Sequence, residues 1–182
     1  MLPDPETALH NPDGLAGMSN INFHCSPAAA PKPDGSYEVG AVTATASFRF
    51  TKWFDDWFRI SGSRVIIGKG GMISEVYKRQ FLPVGAVYLT TVGYGTGALL
   101  GRGIARVREV HWLKELGIAQ ALWVFDVASF GPFLVESDLA GNSLFERENA
   151  KIAEKLPPLY EGTRPAILRR YGETDDRTDE LI

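Results

Sequence analysis

The chain has 182 residues, 45% hydrophobic and 23% charged, so it is long enough for one domain with a sizeable core. Its net charge of −3, with no basic block, argues against a nucleic-acid partner, and its apolar runs are too short to cross a bilayer. A single cysteine, Cys25, excludes an intrachain disulfide, and the N-terminus lacks the features of a secretory signal, so we expect a cytoplasmic protein.

The N-terminal part predicts two strands separated by a proline-rich loop. Residues 1–14 are rich in Pro, Asp and Asn and predict an irregular arm. Residues 18–24 and 38–46 predict strands. Between them, residues 26–37 carry three prolines and the turn signal Asp34-Gly35, and therefore predict a loop.

An aromatic helix is predicted next. Thr51 is suited to cap it, and the pairs Trp53 with Trp57 and Phe54 with Phe58 are each four residues apart. Aromatic residues at this spacing share one face, and their usual fate is packing in the core.

Short strands and glycine-rich turns alternate after that helix. Residues 64–67 predict a buried strand that ends on Gly68-Lys69-Gly70-Gly71, and residues 74–80 predict a helix. The β-branched and aromatic residues of 85–92 predict another strand, which leads into the glycine-rich turn 93–97.

The C-terminal third continues the same alternation. Residues 106–112 and 121–127 predict strands around a short helix at 113–117. Residues 133–146 predict a β-hairpin turning at Ala140-Gly141-Asn142, and residues 149–156 predict a helix that stops before two prolines.

These elements predict an α/β fold with a mixed sheet and helices packed on it. We expect the irregular arm at residues 1–14, a single domain over residues 15–160 and a charged tail over residues 161–182.

Two segments carry side chains suited to bind an anion. Thr45, Ser47 and Arg49 follow one predicted strand, and Lys69 lies between glycines after another. Arginine offers a planar fork to a carboxylate and lysine a point charge, while glycines let backbone N–H groups approach a ligand. We therefore expect both segments to converge on one carboxylate-bearing substrate. Structural alternatives remain, namely a surface salt bridge for Arg49 and a solvated loop for Lys69.

Other motifs predict less. The stretch Gly93-Tyr94-Gly95-Thr96-Gly97 resembles a dinucleotide fingerprint, but position 98 is alanine and no acidic residue ends a strand about 20 residues later. The glycines around Lys69 do not form a phosphate-binding P-loop.

Histidine and cysteine also give no clear site. His10, His24 and His111 lack the spacing of metal ligands. Cys25 adjoins His24, but neighbouring residues in a strand point to opposite faces, so a free thiol is the simpler interpretation. One cysteine cannot by itself hold an iron–sulfur cluster or zinc.

The order of motifs over roughly residues 14–158 resembles the β subunit, or C-terminal domain, of the class I iron–sulfur fumarase and L(+)-tartrate dehydratase family. Each motif is loose, but their order and spacing are specific. The matching segments are Thr43 to Arg49, Gly68 to Gly70, Ala86 to Tyr88, Val92 to Leu100, Glu115 to Gly117, Ala121 to Trp123, the positions Asp126, Phe130 and Pro132, and Asp138 to Asn142.

The resemblance implies roles for particular residues. It places the family's catalytic threonine on Thr45, and its substrate-binding arginine and lysine on Arg49 and Lys69. Ser47, Gly68 and Gly70 complete the expected substrate-binding set.

The same resemblance implies a fold, a reaction and a partner. The fold would be a swivelling three-layer β/β/α domain, and the reaction a reversible hydration of a small dicarboxylate such as fumarate or a tartrate-type substrate. A [4Fe-4S] cluster would be carried by a partner α subunit, on three cysteines, with one iron open to act as Lewis acid on the leaving hydroxyl.

Two departures from the family pattern keep other interpretations open. The chain begins too late to include the family's N-terminal segment with a further substrate arginine, and Phe48 and Phe50 replace a small residue and a methionine beside Arg49. The alternatives are a non-catalytic assembly or regulatory subunit, and a stand-alone domain that binds carboxylates.

Overall fold

A computed structural model of the protein describes residues 20–162. Over this range it contains the strands β1 Ile21–Phe23, β2 Cys25–Pro31, β3 Tyr37–Ala44, β4 Val65–Gly68, β5 Val87–Thr91, β6 Ile104–His111, β7 Leu122–Val127 and β8 Phe133–Ser137.

The α-helices are short, apart from the last one. They are α1 Phe54–Ser61, α2 Ser74–Val76, α3 Gly97–Arg102, α4 Leu113–Leu116 and α5 Leu144–Tyr160. Three 3₁₀ segments occur at Ser47–Trp53, Leu82–Val84 and Tyr94–Thr96, and a π-helical turn at Tyr77–Phe81 continues α2.

A mixed four-stranded sheet organises the fold, with strand order β1-β4-β5-β8. β1, β4 and β5 are parallel, whereas β8 is antiparallel to β5. Two further pairs, β2 with β3 and β6 with β7, form antiparallel two-stranded sheets. The predicted α/β fold with a mixed sheet is confirmed.

The core lies between the sheet and the helices α1 and α2. Phe54 and Phe58 of α1 are almost fully buried and pack edge-on against Phe81. Ile66 and Tyr88 contribute from the two central strands. Each such side chain contributes about 1.5–3 kcal/mol by leaving water, so the Phe54/Phe58 spacing decides how α1 docks.

Only half of the predicted aromatic stripe lies in this core. Trp57 is partly buried against it, but Trp53 is exposed and its ring lies under the Lys52 ammonium. The reason is that α1 begins at Phe54, after a 3₁₀ segment, so Trp53 lies outside the regular helical spacing. Thr51 is inside that 3₁₀ segment, and the prediction that it caps the helix is wrong.

The predicted loop at residues 26–37 is also wrong for its first part, because β2 pairs along its length with β3. Prolines are tolerated there because a two-stranded sheet leaves one edge of each strand unpaired. The Asp34-Gly35 turn is present and joins the two strands. Asp34 accepts a hydrogen bond from the Ser36 N–H at 2.9 Å, and Gly35 has a left-handed φ of 83°.

The predicted hairpin at residues 133–146 is wrong too. β8 pairs with β5, and Ser143 contacts it through one isolated bridge to Ser137. Instead, the Ser143 hydroxyl accepts a hydrogen bond from the Glu146 N–H at 3.1 Å and caps α5. The capping signature Ser-x-x-Glu was present in the sequence at these two positions.

The described residues divide into two compact units, one ending at Glu146 and the other starting at Arg147. In the second unit α5 runs to Tyr160, past the predicted end at residue 156, with Pro157 and Pro158 inside it. The predicted N-terminal arm and most of the predicted C-terminal tail lie outside the described residues, and the domain limits remain a prediction. No helix in the described range is long and apolar enough to cross a membrane.

Candidate functional site

The site lies at the carboxyl ends of the parallel strands. Main-chain hydrogen bonds connect three segments there, namely those that follow β1, β3 and β4. The His24 N–H donates to the Ile67 carbonyl at 2.8 Å, and the Thr45 N–H donates to the His24 carbonyl at 2.8 Å. The Lys69 N–H then donates to the Thr45 carbonyl at 3.1 Å. Crevices at this end of parallel strands are common ligand sites in α/β proteins.

Thr45 and Arg49 form the first half of the site. The 3₁₀ turn that starts at Ser47 brings the two side chains together, and Arg49 Nη2 donates to Thr45 Oγ1 at 2.6 Å. The guanidinium also lies over the Phe50 ring, 5.6 Å from its centroid, and makes a long contact of 3.5 Å with the Ala46 carbonyl. Arg49 is exposed, and a guanidinium has five N–H donors, so it can bind an anion while it holds Thr45.

Lys69 forms the second half. It pairs with Ala46 in an isolated parallel bridge, which places it beside the Thr45 segment. Gly70 follows with a left-handed φ of 69°, a conformation that favours glycine, so the chain turns sharply after the lysine. Thus the structure brings the main chain of Lys69 beside the segment that carries Thr45 and Arg49, and their predicted roles toward a substrate stay predictions.

Ser47 and Gly68 lie beneath this surface. The Ser47 side chain is fully buried, and its hydroxyl accepts a hydrogen bond from Tyr88 at 3.0 Å and lies 2.8 Å from His24 Nδ1. A Cβ atom at Gly68 would stand 2.1 Å from Ser47 Oγ and 2.3 Å from Tyr88 Oη, so only glycine fits. Their predicted contact with substrate stays a prediction, and their observed contacts are with protein groups.

His24 is the site residue that sequence reasoning missed. Its ring packs in a T shape against Phe50 and stacks on Phe54, with centroid distances of 5.0 and 5.9 Å. Burial lowers the pKa of His24 to about 4, so the imidazole is neutral at neutral pH. The available signal was its position directly after a strand of the parallel sheet, not any ligand spacing.

Cys25 is unsuited to metal chemistry. Burial raises the pKa of its thiol to about 12, so the thiolate that binds metals is strongly disfavoured. Among residues 20–162, no three His, Cys, Asp or Glu side chains are grouped in a way that could hold a metal ion. The described residues therefore offer no ligand set that would fit an iron–sulfur cluster.

The second glycine-rich segment has a packing role. The Thr96 hydroxyl donates to the Gly93 carbonyl at 2.6 Å and closes a local turn. Cβ atoms at Gly97 and Gly101 would stand 3.0 and 2.6 Å from carbonyl oxygens of β3, so these glycines let α3 pack closely on that strand. Gly97 and Gly101 are thus explained by packing, without a bound nucleotide.

Comparisons with known proteins identify the family of this chain. The family model described as fumarase C-terminus matches residues 6–148. A protein named "putative L(+)-tartrate dehydratase subunit beta" from Methanocaldococcus jannaschii is 36% identical over 140 residues, 77% of this chain and 70% of that protein. The L(+)-tartrate dehydratase subunit beta of Escherichia coli K12 is 30% identical, over 76% of this chain and 67% of its own length.

A longer relative shows the same match. The protein named "putative fumarate hydratase class I" from Geobacillus stearothermophilus is 33% identical over 78% of this chain, which corresponds to 27% of its own length. The matched region is therefore a separate chain in some relatives and part of a longer chain in another.

Proposed function

Because the chain belongs to the fumarase C-terminus family, we propose that it is the β subunit of a hydro-lyase that reversibly dehydrates a small 2-hydroxy dicarboxylate. The family membership supports the reaction class. The substrate type, of the fumarate/malate or tartrate kind, follows from the names of the relatives.

A single observation carries the proposal for this chain's own site, namely the meeting of Thr45, Arg49 and Lys69 at one edge of the sheet. They come from two segments 20 or more positions apart, yet hydrogen bonds connect the Lys69 N–H to Thr45 and the Thr45 hydroxyl to Arg49. A hydroxyl that accepts a hydrogen bond from a guanidinium, on a segment bonded to the main chain of a lysine, is suited to chemistry on a dianionic substrate.

Arg49 and Lys69 would bind the two carboxylates. The guanidinium fork can take one carboxylate through two parallel hydrogen bonds, and the lysine ammonium can neutralise the other. Holding both carboxylates fixes the carbon chain between them, which lowers the entropic cost of reaching the transition state.

Thr45 would act on the proton. In the dehydration direction, a proton leaves the carbon next to the hydroxyl-bearing carbon, hydroxide leaves that neighbour, and a double bond forms between the two. The Arg49 N–H donated to Thr45 Oγ1 favours negative charge on that oxygen. A threonine hydroxyl is still a weak base, so we assign its activation to a carboxylate of a partner subunit.

The remaining members of the predicted set would shape the site. Gly70 provides the turn after Lys69. Ser47 bonds to Tyr88 and His24 beneath the site, and Gly68 leaves room for these contacts. Since the sequence has one cysteine and residues 20–162 offer no ligand set for an iron–sulfur cluster, we assign the [4Fe-4S] cluster to a partner α subunit, and no step assigned to this chain passes through it.

Reconstitution tests the proposal. The chain would be co-expressed with a cluster-bearing α subunit, the complex purified without oxygen, and fumarate, mesaconate and tartrate followed by absorbance. We expect turnover of one of them that needs both chains. A stable complex that turns over none of them would contradict the proposal and favour a non-catalytic subunit. Binding of dicarboxylates by this chain alone would favour a stand-alone binding domain.

A further inference from the structure

The chain that follows Lys69 passes over a buried carboxyl group. Glu136 of β8 is 1% exposed, and its Oε1 accepts a hydrogen bond from the Ser143 hydroxyl at 2.7 Å. Its Oε2 accepts one from the Phe145 N–H at 3.0 Å. Burial raises the pKa of Glu136, and the hydrogen bonds that it accepts oppose that change.

Tyr77 connects this carboxyl group to the glycine loop. Its hydroxyl accepts a hydrogen bond from the Met72 N–H at 2.9 Å and donates to Glu136 Oε1 at 3.4 Å. The direction of donation runs from the loop backbone through the phenol to the carboxylate. Tyr77 is fully buried, so water does not compete for these bonds.

Gly71 lies directly against the same group. A Cβ atom at this position would stand 2.9 Å from Glu136 Oε1 and 2.8 Å from the Phe145 ring. The backbone of Gly71 therefore rests on the carboxylate with no room for a side chain. Together with the Met72 hydrogen bond, this contact fixes two consecutive residues of the loop.

Lys69 is thus held from both directions along the chain. Its own N–H is fixed upstream to Thr45, and the two residues after Gly70 are fixed downstream to Glu136 and Tyr77. We infer that Glu136 and Tyr77 are positioning residues, which hold the loop so that Lys69 meets the substrate carboxylate. This inference rests on the function proposed above.

Tyr77→Phe gives the cleanest test because it deletes one hydroxyl and keeps the packed ring. In the full chain, we expect amide hydrogen exchange of Gly70–Met72 to quicken about tenfold, because Met72 loses its acceptor. In the reconstituted complex, we expect KM for the dicarboxylate to rise about tenfold and kcat to fall by less.

Glu136→Gln tests the carboxylate itself while it preserves the volume of the side chain. We expect the same two changes. The double variant should show exchange and KM no more altered than in the more damaging single variant, because both residues act through one chain of hydrogen bonds. Tyr37→Phe on β3 and the exposed Glu75→Gln are matched controls, and both should leave exchange and KM unchanged.

The outcomes separate this inference from the proposed function. A parental complex without turnover contradicts the proposed function, and the exchange data then decide the inference alone. A lower melting temperature in Tyr77→Phe and Glu136→Gln, with exchange at Gly70–Met72 unchanged, would overturn the inference and leave a purely structural role. Faster exchange with an unchanged KM in an active complex would also overturn it.

Discussion

Two glycine-rich segments follow neighbouring parallel strands, and they do different work. The segment after β4 carries Lys69, turns at Gly70 and rests on buried polar groups. The segment after β5 closes on itself through Thr96, and its later glycines let α3 approach β3. By sequence the second segment resembles a known motif more closely, yet only the first lies beside Thr45 and Arg49. The role of a glycine-rich segment is therefore inferred from the residues that pack against it, not from its glycine spacing alone.

The largest effect is expected from the cations of the candidate site, one of which lies in the first segment. Lys69→Ala and Arg49→Ala should each lower kcat/KM of the reconstituted complex by at least about 100-fold, or ~2.7 kcal/mol, because each removes a cation that we assign to a substrate carboxylate. The exposed residues Lys114 and Arg59 provide matched alanine controls that should change little. Normal kcat/KM in either site variant would remove that residue from the site.

Acid stability should report on His24, whose main chain is hydrogen-bonded to β4 at Ile67. The pKa of His24 is lowered to about 4 by burial, below the value of 6.5 expected when the chain is unfolded. The unfolded state therefore binds the proton more readily, and the stability contributed by neutral His24 is complete above pH 6.5 and is lost as pH falls toward 4. The loss should reach roughly 2–3 kcal/mol near pH 4.5.

Denaturant titrations across this pH range check that expectation. His24→Gln should flatten the fall in unfolding free energy between pH 6.5 and 4.5, whereas the control His111→Gln should retain it. An unchanged slope in His24→Gln would show that the imidazole is not held neutral by its surroundings.

Smaller effects are expected in the second segment, and on stability alone. Gly101→Ala would place a Cβ atom 2.6 Å from the Gly40 carbonyl, so we expect unfolding free energy to fall by about 1–3 kcal/mol while kcat/KM of the folded complex is kept. Gly95→Ala is the control, because a Cβ atom there meets nothing within 4 Å. A loss of kcat/KM in Gly101→Ala would place this segment in the site after all.

The residues of the candidate site could be named from the sequence, whereas several elements around them could not. Lys69 follows a short apolar strand, and Thr45 and Arg49 follow a segment that alternates only weakly. Their convergence is predicted from the anion-binding chemistry of both segments. β2 was missed because its alanines and prolines give no alternation, although pairing with β3 is enough to hold it. The predicted start of α5, at residue 149, is later than its observed start at Leu144, because the capping pair Ser143 and Glu146 falls within the predicted hairpin.

The supporting groups could not be predicted in the same way. Tyr77 and Glu136 are 59 positions apart, and His24 and Ser47 are 23 apart, so each pair is created only by the folded topology. No local periodicity marks such contacts. A glutamate that follows three apolar residues in a strand, as Glu136 does, is a weak sign of a buried carboxyl group, and its partners become known only from the structure.

The most direct test of the account is the kcat of the reconstituted complex with Thr45→Val. Valine keeps the volume of threonine and removes the hydroxyl that we assign to proton transfer, while Thr45→Ser retains a hydroxyl and provides the control. We predict that kcat falls at least about 100-fold for Thr45→Val and far less for Thr45→Ser. An unchanged kcat for Thr45→Val would contradict the claim that this chain contributes a catalytic group.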